Sequence, residues 1–486
     1  MALTRCFAAS AVEARDAHLL GTQRRSPQFV GGYAPRRRRS STPASADRVW
    51  AIPLANGSRD PNCAPDESAH FAFVDALARC HAPRWPEETS SIYAAFLPAP
   101  YLVQALTLAV ARDHANVGRF SPVEAWAHGY EAARLGSALL GVLTALALMA
   151  AAQAWTGSRW SGLAVGLIAA TYPQHVFIGA YTNSDAFTLA AGAALVFAVT
   201  RWARLGEGAI GLVPVGAAAG VVLLGKMSGY YLLPVTGIWI GWAVWTRRAS
   251  VRTCLLALGA CLVVSAPFLV WNAVRNGGDV LGLHRYQRFL TEYWHGLDGR
   301  HLPNAWQHFV YVLARSAFGV FGNMNILMPR GFYRTAALLL MAGCCAGAAI
   351  FVRATGVSRR AGLWLLAGVV VNLSLVFYNC WYVDFSPQGR YVLLSALLLA
   401  GVGACSVDAL LPSRLRSLWV AILVVFFAAS VGQAQVRVYR RPCLPPEASS
   451  PAVAATSDAP RVTAAPIFVN RSSARTRADL IRAREG

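Results

Sequence analysis

The stretch that decides the fold is Ala133-Arg134-Leu135-Gly136-Ser137-Ala138-Leu139-Leu140-Gly141-Val142-Leu143-Thr144-Ala145-Leu146-Ala147-Leu148-Met149-Ala150-Ala151-Ala152-Gln153-Ala154-Trp155. Past Arg134 it carries no charge until Arg159. That length matches the ~20 apolar residues a helix needs to cross a bilayer core. Working outward, similar apolar runs recur at 161–178, 186–201, 209–225, 229–246, 253–271, 334–353, 361–379, 390–411 and 417–434. In lipid every backbone polar group must be satisfied within the segment. The pattern therefore predicts an all-α, polytopic transmembrane helical bundle of about ten or eleven spans.

Composition agrees. Of 486 residues, 56% are hydrophobic and 14% charged, with mean hydropathy +0.41, whereas soluble domains carry about 25% charged residues. The formal charge of +21 does not describe a nucleic-acid surface. Its arginines lie in both tails and in short loops between apolar runs, where the positive-inside rule places them. Cys254, Cys261, Cys344, Cys345 and Cys405 fall inside apolar runs as small core residues. Cys63 and Cys80 flank an acidic motif, and they are able to pair if that motif faces an oxidising side.

Residues 1–48, with the run Arg36-Arg37-Arg38-Arg39, read as a disordered Arg/Ser-rich tail and lack the apolar centre of a secretory signal. Residues 49–132 read as an outer-face region holding the acidic motif Pro65-Asp66-Glu67-Ser68-Ala69-His70 and a run of Trp, Pro and Glu at 85–88. A piece from Ile92 to Ala111 follows, interrupted by Pro98 and Pro100, which suits an interfacial or re-entrant helix. Residues 133–434 form the bundle, with one long loop at 272–333, and 435–486 read as a second disordered tail.

Arginine fixes the orientation. Arg159; Arg201 and Arg204; Arg247, Arg248 and Arg252; Arg353, Arg359 and Arg360; and Arg414 and Arg416 occupy alternate short loops, which are expected on the cytoplasmic side. The remaining connections then face outward together: 49–132, 179–185, 226–229, 272–333 and 381–390.

That outward side gathers the chemically distinctive residues. Asp66, Glu67 and His70 form one group, whose plainer reading is a solvated loop or helix start. Asp185, after Asn183 and Ser184, suits a helix cap and the helix dipole. Lys226, the only lysine among 44 Lys and Arg residues, suits a snorkelling cation at a helix end. Gln388, Arg390 and Tyr391 follow Ser386-Pro387 at the head of a span, where an ionisable residue is costly without a partner. In the long loop, Leu283, Phe289, Leu290, Tyr293 and Trp294 recur at helical spacing. With Arg285, Tyr286 and Arg288 they fit an amphipathic helix lying in the interface. No cluster has metal-ligand spacing, and Asp66, Glu67 and His70 lack a fourth ligand.

Carboxylates beside cations at a membrane face suit sugar transfer from a lipid phosphate. A carboxylate takes the acceptor's proton, and cations stabilise the departing phosphate. At this point the motifs resemble the GT-C superfamily of membrane glycosyltransferases, which includes protein O-mannosyltransferases and lipid A aminoarabinose transferases. Pro65–His70 is similar to the Asp-Glu motif of their first outer loop, Arg134–Gly141 to the start of the next span, and Asn183-Ser184-Asp185-Ala186 to a recurring helix start. A predicted-membrane-protein family of bacteria is similar too, through Pro-Asp-Glu-x-x-His, Ser316–Gly322 and Gln388-Gly389-Arg390-Tyr391.

The resemblance spans roughly residues 60–435, and it implies a membrane-embedded inverting glycosyltransferase of the bacterial inner membrane. Its donor would be a polyprenyl-phosphate sugar and its acceptor a lipid, glycan or protein. Asp66 and Glu67 would be catalytic, His70 and Asp185 supporting or acceptor-binding, and Lys226, Gln388, Arg390 and Tyr391 phosphate-binding. The superfamily usually has a span before the acidic loop, and residues before Asp66 hold none. A flippase for a lipid-linked saccharide, or a polysaccharide polymerase or ligase of similar layout, would use the same cations. Transporters often show paired halves, and no internal repeat is visible here.

Overall fold

The computed structural model describes residues 64, 66–83, 92–115, 122–205, 209–292, 298–322, 324–353 and 356–440. Within these, α1 runs Glu67–Ala78 and α2 Leu102–Ala115, with short 3-10 turns at Ile92–Ala95 and Ala99–Tyr101 between them. Pro98 and Pro100 break the chain there, as their missing N–H groups require. The decisive apolar stretch lies in α3, Pro122–Thr156, whose membrane-length portion is Gly129–Thr156. Then come α4 Arg159–Thr171, α5 Pro173–Gly179, α6 Asp185–Arg204, α7 Ala209–Leu223, α8 Leu232–Trp245 and α9 Val251–Arg275. The 272–333 region holds α10 Leu283–Glu292, α11 Ala305–Gly319 and a two-residue hairpin of β1 Val320–Phe321 with β2 Ile326–Leu327. The chain finishes with α12 Arg330–Arg353, α13 Gly356–Tyr382, α14 Leu393–Leu410 and α15 Ser413–Arg440.

Among the described residues, seven helices are long and apolar enough to cross a membrane, or eight if the bent pair α4 and α5 counts as one span. The expectation is of about ten or eleven; the apolar helices of the 209–225 and 229–246 runs, at 15 and 14 residues, fall short of that length. The 161–178 run bends by 61° between α4 and α5, because Pro173 cannot donate to the preceding turn. The 209–225 and 229–246 runs form the short helices α7 and α8, joined by a turn around Lys226. Residues 435–440 continue α15 past the expected boundary. The two tails, Cys63, Tyr293 and Trp294 lie outside the described residues. Cys80 is disulfide-bonded.

Burial identifies the centre. In α6, 72% of the membrane-length window is buried, against 17% in α9 and 11% in α12, so α6 is the hub and the other two present apolar flanks. Small residues let neighbours approach closely. Any side chain at Gly216 of α7 would strike the backbone of Ala257 in α9, and one at Gly220 would lie 2.6 Å from the Cys261 carbonyl.

One end of the bundle collects the arginine-bearing loops. Ser158, which caps α4, and Ser161 both donate to the Asp408 carboxylate, at 2.8 and 2.7 Å. Arg416 lies 3.5 Å from Asp408. Trp202, Trp239 and Trp364 meet in series as tilted rings, with centroids 5.7 and 6.0 Å apart. They tie α6, α8 and α13 together. The distinctive residues gather at the opposite end.

Candidate active site

Asp66 precedes α1 with φ 59° and ψ 12°, and its side chain makes no capping bond to the helix. Through this left-handed turn, which Asp tolerates better than most residues, the carboxylates at 66 and 67 diverge. Glu67 points inward and is fully buried. Arg134, at the head of the α3 span, donates to it from Nε and Nη2 at 2.8 and 2.7 Å. The Thr182 backbone N–H donates to Oε1 at 2.9 Å. This paired, buried carboxylate joins α1, α3 and the turn before α6.

Asp66 stays open, with its side chain 54% exposed. The Tyr93 hydroxyl donates to its Oδ2 at 3.0 Å, and Arg390 Nη2 lies 4.0 Å from the same oxygen. The Tyr93 ring stacks on the buried His70 imidazole, centroids 3.7 Å apart. His70 Nδ1 shares a 2.7 Å hydrogen bond with the Tyr101 hydroxyl. Burial, reinforced by the Lys226 charge, pushes His70 well below its ordinary value, so it is neutral at pH 7. Burial and the Asp66 charge hold the Tyr93 phenol well above its own, so it keeps its proton and acts as a donor.

The head of α6 supplies the second carboxylate. Capping there falls to Asn183, whose Oδ1 accepts from the Ala186 N–H at 2.9 Å. Asp185 is thereby released to face the cations. Lys226 Nζ donates to its Oδ1 at 3.1 Å, and Arg390 Nη1 lies 3.8 Å from Oδ2. The Lys226 backbone N–H donates to Thr188 of α6 at 3.0 Å, fixing the turn on the hub. Lys226 and Arg390 both face the Tyr391 ring, at 5.3 and 5.4 Å from its centroid, a favourable cation–π arrangement.

Arg390 sits in the 3-10 turn Gly389–Tyr391. Its Nε and Nη1 are buried with no hydrogen-bond partner among the described residues, as are Asp185 Oδ2, the Tyr181 hydroxyl and Gln388 Oε1. Buried polar groups are normally satisfied, so these loosely paired atoms have hydrogen-bonding capacity to spare. Burial opposes the Arg390 charge, but neighbours including Tyr391 and Asp185 outweigh it and hold the guanidinium protonated. Gln388 donates to Ser386 within its own turn at 2.8 Å.

Of the residues singled out in the sequence, Asp66, Asp185, Lys226, Arg390 and Tyr391 therefore converge. His70 lies one layer behind, and Glu67 faces away. Sequence reasoning missed Arg134, Tyr93, Tyr101 and Tyr181. Arg134 carried the same signal as Arg390, a lone charge heading an apolar span. The tyrosines carried none. Among the described residues no group of three His, Cys, Asp or Glu side chains is arranged to hold a metal.

Residues 127–271 match the family model described as dolichyl-phosphate-mannose-protein mannosyltransferase. The matched segment runs from α3 into α9, and over it the chain is similar to that family. Among solved structures, ArnT from Cupriavidus metallidurans in the apo state is similar at TM-score 0.46 and 16% identity, covering 77% of this chain and 70% of that one. The same protein bound to undecaprenyl phosphate gives TM-score 0.44 with the same identity and coverage. The Archaeoglobus fulgidus oligosaccharyltransferase complex with Zn and sulfate gives TM-score 0.42 at 13% identity, covering 77% of this chain and 49% of that one. No curated protein matches the chain.

Proposed function

We propose that the chain transfers a sugar from a polyprenyl-phosphate carrier to a lipid, glycan or protein acceptor, at the outer face of a bacterial inner membrane, with Asp66 as general base. The observation that carries this reading is a single cluster. The open Asp66 carboxylate lies 4.0 Å from a buried arginine, and that arginine and Lys226 flank Asp185 at 3.8 and 3.1 Å. The matched family model is named for a dolichyl-phosphate sugar donor, which suits a cationic pocket at the end of a membrane bundle.

In the reaction the acceptor hydroxyl gives its proton to Asp66 as its oxygen attacks the anomeric carbon. The bond from that carbon to the phosphate oxygen breaks, and its electron pair leaves on the phosphate. The product is an inverted glycoside plus the polyprenyl phosphate. Arg390 and Lys226 stabilise the negative charge that develops on the leaving oxygen. Asp185 holds both cations in place, while Tyr391 and Gln388 shape their pocket. Glu67 contributes by anchoring α1 through Arg134 rather than by touching substrate.

The test is Asp66→Asn, assayed in membrane vesicles with radiolabelled undecaprenyl-phosphate esters of mannose, glucose and aminoarabinose. Transfer should fall by about 10²–10⁴-fold, the usual contribution of a positioned base, while the protein stays inserted and monodisperse. Wild-type transfer in that variant would overturn the assignment.

A further inference from the structure

Tyr93 carries no role in the reaction as written, yet two contacts converge on it and a third supports one of them. Its hydroxyl donates to Asp66 Oδ2 at 3.0 Å. Its ring lies on His70 with centroids 3.7 Å apart and planes 26° from parallel. His70 is in turn held by Tyr101, a fully buried phenol whose ring meets Phe73 edge-on at 5.2 Å. The chain of contacts runs from the protein core, through Tyr101 and His70, to one oxygen of an otherwise exposed carboxylate.

Asp66 needs such a restraint. It forgoes the helix-capping bond that usually immobilises an Asp at a helix start. Its backbone is left-handed, and the guanidinium facing it, Arg390, stands at 4.0 Å, too far for a hydrogen bond. The Tyr93 hydroxyl is the short bond that fixes the rotation of this carboxylate. With Oδ2 engaged by Tyr93 and facing Arg390, Oδ1 is left to accept the acceptor's proton.

Resting on the general-base reading above, we infer that Tyr93 is a positioning residue for the reaction, clamping one oxygen of Asp66 so that the other faces the acceptor hydroxyl. The phenol transfers no proton itself; it stays protonated throughout. His70 serves the same purpose at one remove, as the platform that orients the Tyr93 ring.

Tyr93→Phe keeps the ring and its stack on His70 and deletes only the donor. With the same labelled donors and vesicles, kcat should fall about tenfold to a hundredfold, the worth of a hydrogen bond to a charged group. KM for the lipid donor should change less than about twofold, because the phosphate-binding cations are untouched. A change confined to protein yield or thermal stability, with kcat unaltered, would overturn the inference.

A second measurement needs no substrate. In an ultraviolet difference titration of wild type against Tyr93→Phe, the Tyr93 phenol should ionise at lower pH once Asp66→Asn removes the neighbouring charge that raises it. An unmoved phenol would mean that the contact does not form. If Asp66→Asn keeps wild-type activity, the base reading itself fails. If Asp66→Asn is inactive while Tyr93→Phe behaves as wild type, the positioning inference alone fails.

Discussion

At position 66 the backbone passes through the left-handed region, and two carboxylates adjacent in sequence separate into a buried, paired Glu67 and an exposed Asp66. Glu67 accepts a two-pronged bond from Arg134, at 0% and 3% side-chain exposure respectively. Removing one partner of such a buried pair typically costs about 3–5 kcal/mol, since the other charge is left without compensation. Glu67→Gln should therefore lower thermal stability clearly, read as loss of the monodisperse detergent-extracted peak on heating, whereas Asp66→Asn should leave it near wild type. Equal stability of the two variants would contradict the division of labour. Asp66, Lys226 and Arg390 were legible in the sequence because a charge beside an apolar span is costly and so conspicuous. The destination of Glu67 was not, because its partner lies 67 residues away and neighbouring acids read alike until the backbone angle between them is known. Tyr93 was silent for a different reason: a tyrosine in a proline-rich stretch has no cost that calls for explanation.

Among the elements, α11 does most to place the arginine. Its buried face includes Phe309, Leu313 and Ala317, one helical turn apart, and it packs against Val376, Cys380 and Val392 around the 383–392 turn. Ser316 accepts the Gly389 N–H at 2.7 Å, and a side chain at Gly389 would overlap the backbone of Ser316 and Ala317. Gly389→Ala should therefore push the Arg390 turn off α11. The expected result is a rise of about tenfold or more in the donor KM, in line with the cost of small misplacements in a site, with the protein still inserted. Unchanged KM would show that the turn is held by other contacts. Aromatic and basic spacing announces α10 in advance, and Leu283–Glu292 is helical. The same reading leaves α11 inside a long loop, because Gln307, His308 and Arg315 dilute its apolar content below that of a membrane span. Only the four-residue spacing of its buried side chains marks it as a helix, and that spacing needs the structure to be seen.

Taken whole, the molecule has two chemically distinct ends. Ser158, Ser161, Asp408 and Arg416 meet at one, and Asp66, Asp185, Lys226 and Arg390 meet at the other. This sorting followed from alternating arginine-bearing loops, and the turn around Lys226 between the short helices α7 and α8 keeps to it, since Lys226 pairs with Asp185. A cysteine placed at Asn304, beside the site end, and one placed at Arg247, at the arginine end, should react with a membrane-impermeant maleimide from opposite sides of sealed vesicles, once native thiols are blocked. Labelling of both from one side would refute the layout. The site end also has a particular arithmetic of charge. Two carboxylates face two cations while His70 remains neutral, so the cluster by itself sums to zero. A phosphodiester donor brings one negative charge. On the reaction proposed above, transfer would turn it into a dianionic monoester while Asp66 gained a proton, and the total would be unchanged. That step would proceed without altering the electrostatic load on the cluster, where such changes are costly. Once Asp66 passed its proton to water the pocket would hold one anion too many, and that imbalance would favour departure of the spent carrier, coupling the resetting of the base to release of the lipid phosphate.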